Sequence, residues 1–373
     1  MAKLIRVGFI GLNSSSAKTM SGQWATNAHL PYLTKSSEYT ITALCNSSME
    51  SAKKVIERHG LDPAKVHAYG DPESLANDPD VDLVVCSVNV AQHYTLCKPA
   101  LLSGKMVFCE WPLASNMEQM KELANLASER HVKTMVGLQG RNGPYIQAIK
   151  NKIGDGPGQI GQILSTSVTV QTHLGLALPQ DVAYLAKKEV GGNILTISAI
   201  HLLDTLTSGL GEIKAFHSVV KNKRTTFALL DSNMKVIDPA HPITSPDHVF
   251  VHGELEGDIP FDFQLRGGPP FKNTPSLDWR IYAMKGEIRI SSMGGNLSTE
   301  KGVKFQVYHF DTEEVEDIEL DKVFDENDPG LGFQPPADNV ARLYSAFAKG
   351  ETDKYLNFQQ SLKWAEFIDK LYE

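Results

Sequence analysis

The chain has 373 residues, of which 42% are hydrophobic and 21% charged, and a formal net charge of −8 at pH 7. This length exceeds what one hydrophobic core usually supports, so we expect two domains. The negative charge argues against nucleic acid or an anionic membrane as a direct partner, because both repel acidic surfaces. No apolar run approaches the roughly 18 residues that span a bilayer, and a strand begins at once, so we expect neither a membrane span nor a leader peptide.

The first predicted element is a buried strand within residues 4–17, LIRVGFIGLNSSSA. It runs into Gly11 and a serine-rich turn, as the first strand of a dinucleotide-binding fold does. The fingerprint G-x-G-x-x-G keeps only its first glycine, with Asn13 and Ser16 in place of the other two. Asparagine tolerates a left-handed backbone, and a helix N-terminus binds phosphate. The residues predicted to hold a pyrophosphate are Gly11, Asn13, Ser14, Ser15 and Ser16.

The second predicted strand, residues 40–44, ends at Asn46 and Ser47. In NAD-binding folds an acidic residue at this place binds the adenosine ribose hydroxyls. Without that carboxylate a 2′-phosphate is not repelled. We therefore expect Asn46 and Ser47 to bind NADP, with NAD as the alternative cofactor.

Short apolar strands alternate with helices of about a dozen residues through the first half, which predicts a doubly wound parallel sheet. Ligands of such sheets lie at the carboxyl ends of the strands. Polar residues follow five of these strands, at Asn13, Asn46, 89–93, 110–112 and 139–141. The cofactor-binding residues predicted from the later strand ends are Asn89, His93, Glu110, Trp111 and Arg141.

The second half predicts a different α/β unit. Residues 164–172 alternate as a strand with one buried face, and further strands between 213 and 307 predict a large, open, mostly antiparallel sheet. An apolar helix covers 194–210. The predicted units are a nucleotide-binding domain over 1–140, a substrate and dimerisation domain over 141–336, and C-terminal helices over 337–373.

The cysteines and histidines predict no metal site. None of the four cysteines forms a C-x-x-C pair, and the twelve histidines are scattered. His248 and His252 lie on one predicted strand, roughly 13 Å apart, which is too far for two ligands of one ion. We expect reduced thiols of an intracellular protein. The cysteines are Cys45, Cys86, Cys97 and Cys109.

Several segments together carry a family resemblance. They are 7–12 (VGFIGL), 87–94 (SVNVAQHY), 109–113 (CEWPL), 138–146 (LQGRNGPYI), 246–248 (PDH) and 266–270 (RGGPP). They resemble the Gfo/Idh/MocA oxidoreductase family and, within it, the fungal galactose-regulon repressor branch, over nearly the whole chain. The resemblance implies a Rossmann domain that binds NAD(P), C-terminal helices packed on that domain, and a homodimer formed through the second sheet.

The chain departs from the family pattern at two places. The family has Glu-Lys-Pro after the fifth strand, where the lysine assists proton transfer, and this chain has Trp111. A family aspartate one turn before His201 is replaced by Ile197. His201 is the predicted general acid or base, since the ordinary histidine pKa is about 6.5. The catalytic residues that the resemblance implies are His201, Tyr145 and Tyr184, and the substrate-binding residues are Trp111, His173 and Asp204.

Two functions from different classes remain open. The first is an NAD(P)-dependent oxidoreductase, in the cytoplasm, of a sugar, a polyol or a small carbonyl or imine metabolite; redox-neutral chemistry with tightly held NAD also occurs in the family. The second is a non-catalytic regulator, nuclear or cytoplasmic, whose cofactor gates contact with a protein partner. Loss of the family lysine and aspartate favours the regulator. We predict the enzyme, because a cofactor pocket beside a histidine is usually used.

Overall fold

A computed structural model describes residues 4–13, 22–172, 176–299 and 301–372. The strands of its first sheet are β1 (Ile5–Ile10), β2 (Tyr39–Cys45), β3 (His67–Tyr69), β4 (Leu83–Cys86), β5 (Met106–Glu110) and β6 (Thr134–Gly137). All their pairings are parallel, and the order is β3-β2-β1-β4-β5-β6. This order confirms the doubly wound sheet that the alternation of strands and helices predicts.

Among the described residues, one π-helical turn (Ala25–His29) and five α-helices connect these strands: α1 (Leu30–Leu33), α2 (Met49–Arg58), α3 (Pro72–Ala76), α4 (Val90–Leu102) and α5 (Met117–Glu129). A side-chain cap accepts a backbone N–H at the start of α2, α4 and α5. The caps are Ser48, Asn89 and Asn116, and each satisfies a donor that a helix leaves unpaired. Helices α2 and α4 begin just beyond the ends of β2 and β4, so their N-termini lie at the carboxyl edge of the sheet.

Gly11 occupies the point where the strand order reverses, just after β1. Its φ is +108°, and a Cβ built there would lie 2.2 Å from the Ser87 carbonyl oxygen. Only glycine meets both conditions, since L-residues avoid this backbone region and no side chain fits the gap. The close approach leaves backbone exposed in the crevice where doubly wound sheets bind ligands.

The remaining strands are β7 (Ile163–Thr172), β8 (Ala177–Pro179), β9 (Ile213–Lys221), β10 (Thr226–Leu230), β11 (Val236–Pro242), β12 (His248–Leu255), β13 (Ile259–Gly267), β14 (Leu277–Ala283), β15 (Gly286–Ser292), β16 (Lys304–His309) and β17 (Val315–Ile318). Eight of them form a sheet in the order β17-β16-β15-β14-β7-β13-β12-β9, antiparallel except for the β7–β13 pair. The large, mostly antiparallel sheet is confirmed. Alternate residues of its central strands, such as Val251, Phe263 and Trp279, are buried in the core.

A small sheet in the order β11-β10-β8 was not predicted. Its strand β11 contains two prolines, and its apolar Val236 and Ile237 are exposed, so it lacks the alternation of buried apolar residues by which a strand is recognised. Backbone pairing with β10 forms it instead.

The helices of the second half are α6 (Pro144–Lys152), α7 (Ile200–Leu210), α8 (Ala337–Lys349) and α9 (Phe358–Leu371), with a π-helical segment, Ile194–Ala199, leading directly into α7. Helix α9 packs on α5. The Phe358 N–H donates to the Thr134 hydroxyl at 3.1 Å, and the Val136 N–H donates to the Leu356 carbonyl at 3.0 Å. The C-terminal helices therefore lie against the first sheet. Among the described residues, no helix is long and apolar enough to cross a bilayer.

The substitution Gly11→Ala tests the close approach of β1 and β4. We expect it to lower the free energy of unfolding by about 3 kcal/mol, because backbone strain and steric overlap add. Gly60→Ala is the control, since Gly60 has φ +64° but open space around a built Cβ, and it should cost only about 1 kcal/mol. Urea unfolding followed by circular dichroism measures both. Equal losses would show that the contact with Ser87 is not tight.

Candidate functional site

A cleft of about 840 Å³ lies at the carboxyl edge of the first sheet. The π-helical segment and α7 close one side of it, through Ile197 and His201. Its volume suits a cofactor or small ligand, and its place is where doubly wound sheets bind one. The predicted site residues that line it are Gly11, Asn13, Asn46, Ser47, Asn89, His93, Glu110, Trp111, Tyr184 and His201.

Other predicted site residues lie elsewhere. Ser14, Ser15, Ser16 and His173 fall outside the described residues. The residues Tyr145, Arg141 and Asp204 are described and do not line the cleft. Tyr145 lies in the first turn of α6 and is 2% exposed, and burial raises the pKa of its phenol.

Asn46, after β2, lines the cleft with its amide end fixed by hydrogen bonds. Its Nδ2 donates to the Leu12 carbonyl at 2.9 Å and to the Ser51 hydroxyl at 3.3 Å. The Leu12 carbonyl only accepts, so it fixes which end of the amide is nitrogen. The buried Oδ1 of Asn46 has no donor among the described residues.

Glu110, the last residue of β5, is held by a buried histidine. The Nε2 atom of His29 lies 2.8 Å from the Glu110 carboxylate, and Nδ1 lies 2.9 Å from the Tyr344 hydroxyl. His29 is fully buried, whereas Glu110 lines the cleft. Helix α8 therefore reaches the floor of the cleft through one imidazole ring.

Trp111 forms part of the cleft wall. It is 4% exposed, and its indole N–H donates to the Thr196 carbonyl in the π-helical segment at 2.7 Å. Since this N–H is the only polar group of the side chain, Trp111 offers a ligand an aromatic surface and no proton.

His201 is the titratable group of the cleft that α7 supplies. It is 8% exposed, and its Nδ1 has no hydrogen-bond partner among the described residues. Burial lowers the pKa of His201, and the charges of Glu110 and Asp204 oppose that shift. The imidazole is therefore neutral at pH 7 and can accept a proton. Ile197, one turn earlier, supplies no polar partner.

Asp204 is committed to structural contacts one turn after His201. Arg141 donates to its two oxygens at 2.7 and 3.0 Å, and the Trp364 indole donates to it at 2.8 Å. The side chains of Asp204 and Arg141 are 1% and 10% exposed. This buried carboxylate therefore joins three parts of the chain and does not face a ligand.

Sequence reasoning missed two amides of the cleft, Gln139 and Asn296. Gln139 follows β6, donates to Ser298 at 3.3 Å, and has a buried Oε1 without a donor among the described residues. The sequence signal for Gln139 is its position after a strand, but the residue predicted to bind the cofactor from the same stretch is Arg141. Asn296 comes from the loop after β15, and no local pattern marks it.

Comparisons with known proteins agree with this architecture. A model of an oxidoreductase family with an NAD-binding Rossmann fold matches residues 5–138, and a model of the Gal80p C-terminal domain matches residues 144–292. The dehydrogenase aclE of Aspergillus oryzae is 34% identical over 294 residues, which cover 78% of this chain and 77% of that protein. The galactose/lactose metabolism regulatory protein GAL80 of Kluyveromyces lactis is 32% identical over 78% of this chain and 64% of its own length. A crystal structure of a super-repressor mutant of Gal80p from Saccharomyces cerevisiae is similar with a TM-score of 0.84, at 25% identity, over 99% of this chain and 95% of that one.

The substitution Asp204→Asn tests the structural role of the carboxylate. We expect a loss of about 3 kcal/mol in the free energy of unfolding, because Arg141 would remain buried without its counter-ion. Asp258→Asn is the matched control, since Asp258 forms a 2.6 Å ion pair with Lys214 in an exposed position and should change stability little. Urea unfolding measures both. A loss of stability as small as that of the control would contradict the structural role of Asp204 and would favour a role in ligand binding.

Proposed function

The chain belongs to the oxidoreductase family with an NAD-binding Rossmann fold, and from that premise we propose that it is an NAD-dependent oxidoreductase of a sugar, polyol or small carbonyl or imine metabolite. The observation that carries the proposal is His201, a neutral imidazole in the wall of the cleft. A redox site needs one group that exchanges a proton with the substrate, and this imidazole meets that need.

The cleft fits a dinucleotide at two places. Gly11 lines the cleft and, having no side chain, leaves room for a ligand at the turn after β1, where a pyrophosphate binds in this fold. Asn46, a neutral amide after β2 that lines the cleft, suits a ribose hydroxyl and supplies no positive charge for a 2′-phosphate. No lysine or arginine among the described residues lines the cleft. These features support NAD over the NADP that the sequence led us to expect.

The protein's part in the reaction is to orient the substrate and to move one proton. The nicotinamide, when bound, supplies the hydride chemistry. His201 accepts the proton of a substrate hydroxyl during oxidation and returns it during reduction. The negative charges of Glu110 and Asp204 favour the imidazolium that forms, while Trp111 and Ile197 exclude water.

A second candidate, a cofactor-binding regulator, is favoured by a specific observation. Trp111 and Ile197 stand where the family has a lysine and an aspartate, and the Trp111 N–H is already bound by Thr196. One relative is a regulatory protein of galactose metabolism. If the protein is such a regulator, the cleft binds NAD without turnover, and the NAD-bound protein binds a protein partner.

The homodimer and the cytoplasmic location remain predictions. The dimer would use the outer face of the eight-stranded sheet, which carries exposed residues such as Val219, Tyr282 and Tyr308.

The substitution His201→Ala separates the two candidates. With NADH or NAD⁺ and a panel of sugars, polyols and small carbonyls, we expect wild-type turnover to be detectable and kcat to fall about 100-fold or more in the variant. The Kd for NADH should stay unchanged. Oxidation should weaken in acid, with a midpoint below the ordinary histidine value of about 6.5, because the neutral ring is the base and burial lowers its pKa.

The control for that measurement is His309→Ala. His309 is half-buried on β16, where its Nε2 lies 3.0 Å from Glu316, and it does not line the cleft. It should leave turnover intact. Binding of NADH without turnover of any compound in the panel would favour the regulator.

The choice of cofactor depends on Asn46. We expect wild-type protein to bind NADH at least about tenfold more tightly than NADPH, and Asn46→Ala to weaken NADH binding roughly five- to tenfold by losing one hydrogen bond. Fluorescence titration measures both. The control is Asn222→Ala, because Asn222 likewise donates to a carbonyl and has an unpartnered Oδ1, outside the cleft. Tighter binding of NADPH would contradict the assignment.

A further inference from the structure

A second cavity lies beside the C-terminal helices, apart from the cleft. Its volume is about 320 Å³, and it lies between the first turns of α6 and α8 and the segments that follow β15 and β17. None of the described residues that line it also lines the cleft. We call it the side cavity. Its volume is at the lower end of the range for ligand pockets, so it suits a small metabolite and not a dinucleotide.

The lining of the side cavity is largely apolar and carries balanced charge. Aliphatic and aromatic side chains form most of its walls: Leu297, Val303, Leu320, Phe324, Leu331 and Phe333. The charged residues described in its lining are two cations and two anions: Lys301, Arg342, Asp321 and Asp338. A ligand with a large net charge of either sign therefore gains little from this lining.

Arg342 is already neutralised within the wall. Its Nε and one Nη donate to the two carboxylate oxygens of Asp328 at 2.9 and 2.7 Å. Its other Nη donates to Asn339 at 2.7 Å and to Asp338 at 3.3 Å. The guanidinium also lies 4.4 Å from the centroid of the Phe324 ring. A guanidinium with these partners is not available to an anionic ligand.

Asn339 and Asp338, in the first turn of α8, supply the hydrogen-bonding groups of the side cavity. Asn339 is 2% exposed, and its Oδ1 accepts from Arg342, which makes the other end of the amide the donor. Its Nδ2 makes no hydrogen bond within the part of the chain that the structure describes. Asp338, whose side chain is 13% exposed, adds carboxylate acceptors. Donors and acceptors thus lie side by side against apolar walls.

We propose that the side cavity binds a neutral, polyhydroxylated metabolite of monosaccharide size, and that its occupation changes cofactor binding in the cleft. Hydroxyl groups both donate and accept, so they suit Asn339 and Asp338 together. The carbon faces of a sugar or polyol suit the apolar walls. An anion would be repelled by Asp338 and Asp321, and an ammonium group by Lys301 and Arg342. The proposal needs no turnover in the cleft, so it does not depend on which of the two candidate functions is correct.

The side cavity and the cleft share one loop. Leu297, in the wall of the side cavity, directly follows Asn296, which lines the cleft. The Ser298 hydroxyl donates to Asn296 at 2.9 Å and accepts from Gln139 at 3.3 Å, and Gln139 also lines the cleft. A ligand that displaces Leu297 therefore displaces two amides of the cleft.

Helix α8 provides a second connection between the two sites. Its first two turns line the side cavity through Asp338 and Arg342. Further along the same helix, the Tyr344 hydroxyl lies 2.9 Å from the Nδ1 of His29, whose Nε2 holds Glu110 at the floor of the cleft. A small shift of α8 would therefore reach Glu110 through one imidazole ring.

Calorimetric titration tests binding at the side cavity. Of myo-inositol, D-glucose, D-xylose and D-sorbitol, at least one should bind wild-type protein with a Kd of about 1 mM or below, and D-glucose 6-phosphate should bind at least about tenfold more weakly. Leu331→Trp should weaken binding of the neutral compound at least about tenfold, because it places a large side chain in the cavity at a position that is 58% exposed. Leu102→Trp is the matched control, since Leu102 is 45% exposed and lines neither site.

Two further measurements test the donor and the connection to the cleft. Asn339→Ala should weaken binding of the neutral compound about five- to tenfold through the loss of hydrogen bonds. The Kd for NADH, from fluorescence titration, should change at least about twofold when the compound is bound to wild-type protein, and should not change in Leu331→Trp.

Three results would contradict the proposal. No binding of any of the four neutral compounds at concentrations up to about 20 mM would overturn it. Equal effects of Leu331→Trp and Leu102→Trp would place the bound compound elsewhere and would also overturn it. An identical Kd for NADH with and without the bound compound would overturn the connection to the cleft. If Asn339→Ala fails to fold, the pair of tryptophan variants still decides, and a protein that binds no NADH would contradict the proposed function while the calorimetric test of the side cavity stands.

Discussion

The buried ion pair between Arg141 and Asp204 sets the geometry on which the cleft depends. Arg141 follows the last strand of the first sheet, Asp204 lies on α7, and Trp364 on α9 completes the contact. Burying two charges is costly, so the pair is stable only where geometry is close to ideal and further hydrogen bonds are present. The pair therefore contributes mainly to conformational specificity, because Asp204 meets its partners at only one rotation and one axial position of α7. His201 lies on the same helix, so the ion pair also fixes the position of His201.

The two halves of the cleft are built from different kinds of group. One half is made of the ends of the strands of the first sheet, which bring backbone and short polar side chains such as Asn46 to one edge. The other half comes from the second domain and holds one titratable imidazole between apolar neighbours. Glu110 joins the two halves, because it ends a strand of the first sheet, is fixed by His29, and contributes negative charge near His201. With so few polar neighbours, the pKa of the His201 imidazole is set mainly by its burial.

The sequence predicts the parts of this molecule that follow from local periodicity. The parallel sheet, the large antiparallel sheet and the polar strand ends follow from alternation and from the positions where apolar runs stop. It does not predict partners that are distant along the chain. The sequence predicts Arg141 and Asp204 as ligand-binding residues, because no pattern in the neighbouring residues shows that the two side chains form an ion pair with each other. The same holds for β11, which backbone pairing creates without an apolar pattern.

The π-helical segment that precedes α7 has a consequence for how such a site could arise. A π-helical turn holds one residue more than an α-helical turn, so everything after it is rotated by roughly 100° relative to an uninterrupted helix. The segment Ile194–Ala199 lies directly before His201 and is secured by the Asn193 cap and the Trp111 indole. The direction in which the His201 imidazole points therefore depends on the number of residues in the π-helical segment as well as on their identity. Insertion or deletion of one codon in this segment would turn the histidine away from the cleft, so the site could be gained or lost in a single step without substitution of any residue that lines it.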